Sequence, residues 1–310
     1  MIKLGLVGCG RWGKNYIKSV EPLQGVSIDM ICVRHLPKLD QNIRDNYHVT
    51  TDLDDILNSD LDGVIIATSP SSHFDLVNRC LDKGLPILLE KPMALDFKEI
   101  DSILNRLSND DLLHVNHQHL YAPAYVKLRE LIEDWDGPFF LTSSGGNSGP
   151  FRQYDSFLDY GPHDISMVLG ILGCHPTDIW ISDTSCGKGT IYRVEINYRD
   201  LPLKSVNLKS RNITTRDVKH NRATCVFGNG MTTKKRSFSV STEKQGTILY
   251  DDLSPDKLKI NGDPVAIDDS LPLSESIISF CNSIKAGFLD WRSSPYLYRS
   301  IYSMLNIPGL

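Results

Sequence analysis

Ile2-Lys3-Leu4-Gly5-Leu6-Val7-Gly8-Cys9-Gly10-Arg11-Trp12-Gly13 is the stretch whose reading decides the fold. A short apolar run enters a G-x-G-x-x-G hexapeptide, and an amphipathic segment follows at residues 14–20. A strand before that motif and a helix after it give it meaning. Gly8 then allows the tight turn, Gly10 lets backbone approach a pyrophosphate, and Gly13 lets the helix pack on the strand. The free N–H groups opening the helix face the anion. The turn, with Arg11 and Trp12, is expected to hold a nicotinamide dinucleotide, Trp12 packing over it or under a second domain.

Outward from the turn, apolar runs at residues 27–33, 63–67, 86–89 and 112–116 alternate with helical patterns at 73–83 and 97–107. Strands apolar throughout are buried on both faces, so residues 1–119 read as a doubly wound parallel sheet, a Rossmann domain. Such sheets bind ligands at the carboxyl ends of their strands. Beyond residue 120 the pattern changes. Helices at 122–134 and 163–172 precede half-exposed strands at 190–198, 204–210, 222–227 and 247–250, with turns such as Gly228-Asn229-Gly230. Residues 120–310 are therefore expected to form an α+β domain for substrate binding and oligomerisation, a large, mostly antiparallel sheet with helices on one side. A last helix at 274–286 carries Ile277, Ile278, Cys281 and Ile284 at a spacing suited to packing on a sheet.

About twenty residues after the glycines, NAD sites usually place an acid against the adenosine ribose. This chain reads Ile31-Cys32-Val33-Arg34-His35. Arg34 can meet a 2′-phosphate or lie over the adenine, which leans the choice of NAD(P) to NADP; a solvated arginine at a strand end is the alternative.

Composition narrows the classes. With 310 residues, two domains are the expectation. A net charge of −5 and no basic block interleaved with aromatics speak against nucleic acid. The densest basic run, Lys234-Lys235-Arg236, reads as a turn or solvated strand end. No apolar stretch is long enough to span a bilayer, and the run at 2–7 is broken by glycine too early for a signal sequence. Seven cysteines without a CxxC pair fit free thiols, so cytoplasm is the expected compartment and structural zinc is not expected.

Three further segments, in order, give the chain its resemblance to a known family. Ala67-Thr68-Ser69-Pro70-Ser71-Ser72-His73 resembles an AT-x-x-x-x-H loop, Glu90-Lys91-Pro92 an EKP motif, and Asp159-Tyr160-Gly161-Pro162-His163-Asp164 a D-x-G-x-H segment. Together with weaker echoes at Tyr121-Ala122-Pro123-Ala124 and Tyr250-Asp251-Asp252, they make the chain similar to the Gfo/Idh/MocA family of NAD(P)-dependent oxidoreductases. The resemblance implies cofactor contacts from Thr68, Ser69, His73, Glu90 and Lys91. It also implies a lysine, Lys91, at the nicotinamide end of the fifth strand, often followed by a cis proline. His163 is implied as acid/base partner, with Asp159 orienting it or the substrate; an imidazole suits that work. The bland alternatives are a surface lysine, and Asp159 or Asp164 capping a helix that begins at His163 because Gly161 and Pro162 favour a turn.

His117 and His119 share one face of the sixth strand on this reading. They are expected to line the cleft near the nicotinamide rather than hold a metal, with His119 and Tyr121 touching substrate. Arg152 and Tyr154 are candidate anchors for a substrate phosphate or carboxylate, or an ordinary surface pair. The expected reaction is hydride transfer between NAD(P) and a secondary alcohol on a sugar, nucleotide sugar or cyclitol. Lys91, Asp159 and His163 are the catalytic set, and a homo-oligomer, dimer or tetramer, is expected. The rivals are a non-sugar substrate on the same scaffold and a non-catalytic dinucleotide sensor.

Overall fold

The computed structural model describes residues 1–108, 111–173, 175–198, 202–206, 213–217 and 220–305. They divide into two compact units, Met1–Gln118 with Leu271–Arg299, and His119–Ser270 with Ser300–Leu310. The first unit holds strands β1 (Ile2–Val7), β2 (Val26–Cys32), β3 (His48–Thr50), β4 (Gly63–Ile66), β5 (Ile87–Leu89) and β6 (Leu113–Val115). Their order is β3-β2-β1-β4-β5-β6 and every pairing is parallel. This is the doubly wound order, whose switch point falls between β1 and β4, at the glycine turn. Between the strands run α1 (Arg11–Val20), α2 (Gln41–Asn46), α3 (Leu53–Leu57), α4 (His73–Leu81) and α5 (Phe97–Arg106). Leu4, Leu6 and Ile65 meet Tyr16, Ile17 and Val20 of α1 in one core. The helix α1 starts three residues ahead of its apolar pattern, because Gly10 is extended and its carbonyl already accepts from Lys14 N–H at 3.0 Å.

The second unit contains α6 (Pro123–Leu131), β7 (Phe140–Ser148), α7 (Ser156–Leu172), β8 (Asp178–Cys186) and β9 (Gly189–Tyr198). Next come β10 (Pro202–Val206), β11 (Ile213–Asp217), β12 (Asn221–Gly228), β13 (Gly230–Thr242), β14 (Gly246–Asp251), β15 (Leu258–Ile260) and β16 (Asp263–Pro264). Among the described residues the main sheet runs β16-β15-β14-β13-β7-β12-β9-β8, antiparallel except where β7 and β12 pair in parallel. A separate antiparallel pair joins β10 and β11; residues 207–210 of the strand expected at 204–210 lie outside the described residues. The helices α7 and α6 pack on this sheet, and strands β7, β8 and β13 add to those the alternation marked.

Two expectations are corrected here. The last long helix, α8 (Pro272–Ala286), does not belong to the second unit's core. It sets Leu273, Ile277, Phe280 and Cys281 into the core of the parallel sheet. Gly63 makes room for it: a Cβ there would stand 3.0 Å from the Phe280 ring. The apolar spacing foretold a sheet partner but carries no information on which sheet. A final helix, α9 (Pro295–Leu305), follows.

The second correction is α7, which begins at Ser156 rather than His163, with Pro162 inside it. Asp155 is the cap, its carboxylate accepting from Phe157 N–H at 2.7 Å, so neither Asp159 nor Asp164 serves that role. Proline removes one backbone donor from a helix interior, a cost set here against a helix buried at almost every position.

Candidate functional site

The glycine turn forms one end of a cavity of about 500 Å³ in the first unit, walled in part by Gly8, Gly10, Arg34, Thr68 and Ser69. The three glycines do separable work. Gly8 has φ +94°, and a Cβ on it would lie 2.8 Å from the Thr68 side chain. A Cβ built on Gly10 would meet nothing within 4 Å among the described residues, so its bare backbone faces open space. A Cβ at Gly13 would overlap the carbonyl oxygen of Gly8, which makes the close approach of α1 to β1 dependent on glycine. Among the described residues no side chain caps the N-terminus of α1. The residues thus fit a dinucleotide: open space at Gly10, with unclaimed N–H groups beyond it, suits a pyrophosphate. Among the residues walling the cavity none is acidic, while Arg34, His35 and Lys38 are present. The neighbouring Asp40 is engaged by Lys14 at 2.6 Å. Arg11 is exposed at the start of α1, and Trp12 is half-buried against the sheet core rather than in the cavity wall.

At the end of β5, Glu90 is buried, and Lys91 and Pro92 follow across a cis peptide bond. One carboxylate oxygen of Glu90 accepts from Tyr16 Oη and from Asn116 Nδ2, both at 2.7 Å. Burial pushes the Glu90 carboxyl up, and the Tyr16 and Asn116 donors with the Lys91 charge oppose that. His73 is fully buried and lies outside the cavity wall. Its Nδ1 lies 2.8 Å from the Pro92 carbonyl and its Nε2 3.4 Å from that of Thr68. Burial lowers its pKa to about 4, so the ring is neutral and has one proton to donate, which the shorter contact to Pro92 claims. His73 therefore ties the loop at residues 68–73 to the segment that carries Lys91.

In the second unit, the early start of α7 puts Asp159 and His163 one turn apart on one face. Both are buried. The His163 ring meets that of His119 edge-on, centroids 4.6 Å apart. Arg152 donates through Nε to Asp159 at 3.4 Å, leaving the rest of a half-exposed guanidinium outward. Tyr154 has its pKa pushed up to about 12 by burial and then by Asp159, so its hydroxyl keeps its proton. Tyr121 is buried in the short 3-10 turn Gln118–Tyr121 that also carries His119.

The expected pairing of His117 and His119 on one strand face is not what forms. Strand β6 ends at Val115, and the chain turns so that His117 stacks on Tyr298 at 5.4 Å while His119 meets His163. Arg236, read from sequence as solvated, is mostly buried and donates from Nη1 to Asp164 at 3.0 Å. Asp164 also accepts from Ser143 Oγ at 2.5 Å; burial raises its pKa, against the pull of Arg236 and Ser143. Gly145 leaves the space, since a Cβ there would overlap both partners. Sequence reasoning missed Ser143, Arg236, Tyr16 and Asn116. For Arg236 a signal existed: it shares strand parity with the apolar Phe238 and Val240.

Over residues 2–117 the chain matches the family model described as an oxidoreductase family with an NAD-binding Rossmann fold. It is 23% identical over 267 residues to an inositol 2-dehydrogenase of Paenarthrobacter aurescens (strain TC1), covering 79% of each chain. It is 28% identical over 130 residues to a UDP-N-acetylglucosamine 3-dehydrogenase of Acidithiobacillus ferrooxidans, covering 40% of each. A crystal structure from Magnetospirillum magnetotacticum MS-1, provisionally described as an oxidoreductase, superposes with TM-score 0.79 at 25% identity, covering 98% of both chains. The solved structure of the Acidithiobacillus enzyme shares the fold at TM-score 0.77 and 17% identity, over 98% of this chain and 95% of that one.

Proposed function

We propose that the chain, matched over residues 2–117 by the Gfo/Idh/MocA oxidoreductase family model, is an NADP-preferring dehydrogenase of that family acting on a secondary alcohol of a sugar, nucleotide sugar or cyclitol. The observation that carries the cofactor half is the cavity over the glycine turn, with Cβ-free backbone at Gly10 and three nitrogenous side chains where an acid would select NAD. When bound, the nicotinamide accepts or returns the hydride. Backbone at Gly8 and Gly10 would hold the pyrophosphate, with Thr68 and Ser69 bordering the same cavity, and Arg34 with His35 and Lys38 would meet a 2′-phosphate.

For the substrate half, His163 takes the hydroxyl proton in the oxidising direction, work that an imidazole suits. Asp159 orients that ring and Arg152 holds Asp159. Lys91 donates a hydrogen bond from its own amine to a substrate oxygen and takes no proton in this step. The names of relatives acting on inositol and UDP-N-acetylglucosamine support a polyol substrate. A non-catalytic sensor would have no use for Lys91, Asp159 and His163 together.

Titration of NADPH and NADH fluorescence against the protein, followed by absorbance screens of inositols, sugars and nucleotide sugars, tests both halves. Failure of both cofactors at millimolar concentration removes the reading. Lys91→Ala should abolish turnover and leave dinucleotide affinity within about twofold; an equal loss of both makes Lys91 a binding residue.

A further inference from the structure

We propose that Tyr16, Asn116 and Ser276 act with Glu90 as a buried positioning chain that fixes Lys91 and links it to the helix opened by the glycine turn. The inference rests on the reading that Lys91 works at the reacting hydroxyl, and assigns a task to three residues that no motif contains. Four segments of the first unit converge on it. Tyr16 comes from α1, Glu90 from the end of β5, Asn116 from just beyond β6, and Ser276 from α8. Ser276 Oγ donates to Asn116 Oδ1 at 3.0 Å, and Asn116 Nδ2 reaches both Tyr16 Oη at 2.9 Å and Glu90 Oε1 at 2.7 Å. Tyr16 Oη donates to the same Glu90 oxygen at 2.7 Å. All four side chains are at most 5% exposed.

Such a network is costly to assemble unless each member is satisfied. Packing alone would be served as well by apolar residues, as a buried polar group gains little over a well-packed apolar one. What the network does that apolar residues cannot is hold a carboxylate in one place. That carboxylate faces the backbone N–H and the charge of Lys91. On the other side of Lys91, His73 holds the Pro92 carbonyl. The lysine backbone is thereby pinned from both directions while its side chain remains partly accessible. Tyr16 sits one turn beyond Gly13 on the helix whose first N–H groups face the cavity. A movement of α1 on binding a dinucleotide is therefore felt at Glu90, and through it at Lys91.

The test reads Lys91 itself and needs no substrate. Trace acetylation with acetic anhydride, quantified peptide by peptide by mass spectrometry, gives the reactivity of each lysine amine in the folded protein from pH 7 to 10. Glu90→Gln removes the counter-charge and should raise the Lys91 rate about threefold or more at fixed pH, with Tyr16→Phe moving it the same way by about twofold. Lys18, exposed on α1, should not change. Ser276→Ala, the mildest change, should give a smaller shift of the same sign and covers the case in which Glu90→Gln does not fold. Tyr125→Phe serves as a structural control, because it deletes a buried hydroxyl that donates to Met167 O at 2.7 Å in the second unit. It should lower the melting temperature and leave Lys91 labelling unchanged. In the wild type, NADPH should alter Lys91 labelling, and Tyr16→Phe should reduce that response at saturating NADPH. Lys91 rates in Tyr16→Phe, Ser276→Ala and any folded Glu90→Gln that superpose on wild type overturn the positioning chain. Loss of turnover in Lys91→Ala is a separate result, so the role of Lys91 and its positioning can fail independently.

Discussion

Three buried histidines should make the first unit acid-labile, and the size of the effect follows from their surroundings. His73, His114 and His117 have no exposed surface, and burial depresses their pKa values from 6.5 to about 4, about 4 and about 3. His114 lies edge-on to Phe280, with Asp290 pulling its pKa up and Arg292 pushing it down. His117 stacks on Tyr298, and neither of its ring nitrogens has a hydrogen-bond partner among the described residues. In the unfolded chain each ring titrates near 6.5, so below that pH unfolding takes up protons that the folded rings refuse until about pH 4 or 3. Stability contributed by the neutral rings is complete above pH 6.5 and falls as pH drops towards those lower values. At pH 5 each ring favours the unfolded chain by about 2 kcal/mol, and the three together by about 6 kcal/mol. That is comparable with the whole stability of an ordinary domain, about 5–15 kcal/mol. Glu90 and Asp164, with raised pKa values, work in the opposite direction, and Asp290, with a lowered one, in the same direction. A difference between variants isolates the histidine term from these. Urea unfolding at pH 7, 6 and 5, followed by far-UV circular dichroism, should show His117→Phe losing about 2 kcal/mol less than wild type between pH 7 and pH 5. Phenylalanine keeps the ring on Tyr298 and removes the titration. Equal losses in the two proteins would refute the reasoning, whatever their stabilities at pH 7.

The glycines should separate stability from binding. Gly13→Ala forces a Cβ into the Gly8 carbonyl and should cost about 1–3 kcal/mol of stability along with dinucleotide binding. Gly10→Ala meets no protein atom and should weaken NADPH while leaving the melting temperature unchanged; the reverse order in calorimetry and fluorescence titration contradicts these roles. Arg34→Ala should reduce NADPH affinity about tenfold or more with NADH barely affected, and an unmoved preference removes Arg34 from the phosphate site. Arg236→Met strands the buried Asp164 carboxylate and should destabilise by about 3–5 kcal/mol, whereas Arg236→Met with Asp164→Leu should recover most of it, as chemical unfolding would show.

How much of this was legible in the chain depends on the range of the interactions involved. The glycine turn was readable because each glycine answers a local steric demand, and local demands leave fixed spacings in sequence. The parallel sheet was readable because burial on both faces leaves unbroken apolar runs at 63–67 and 86–89. The start of α7 was misread because Gly161 and Pro162 are local turn signals, and tertiary burial overrode them: Gly161 sits against Phe157 and Phe227, where a side chain would crowd both rings. The placement of α8 could not be read at all, since an apolar helical face is compatible with either sheet.

The polar residues divide along the same line, and this bears on where the chemistry should be sought. Lys91, Asp159 and His163 stood out by family pattern, yet the buried carboxylates beside them in sequence, Glu90 and Asp164, depend on partners that no pattern marks. Tyr16 is 74 residues from Glu90, Ser276 is 160 from Asn116, and Arg236 is 72 from Asp164. A buried carboxylate announces a need for donors but not their addresses, because any strand or helix brought near by the fold can supply them. Strand parity recovers one such partner, Arg236, once β13 is known to be a strand; Tyr16 and Ser276 become visible only when the fold is in hand. Substitutions at these unmarked positions should therefore report on the site as sensitively as changes to its named residues, and with less disturbance of cofactor contacts.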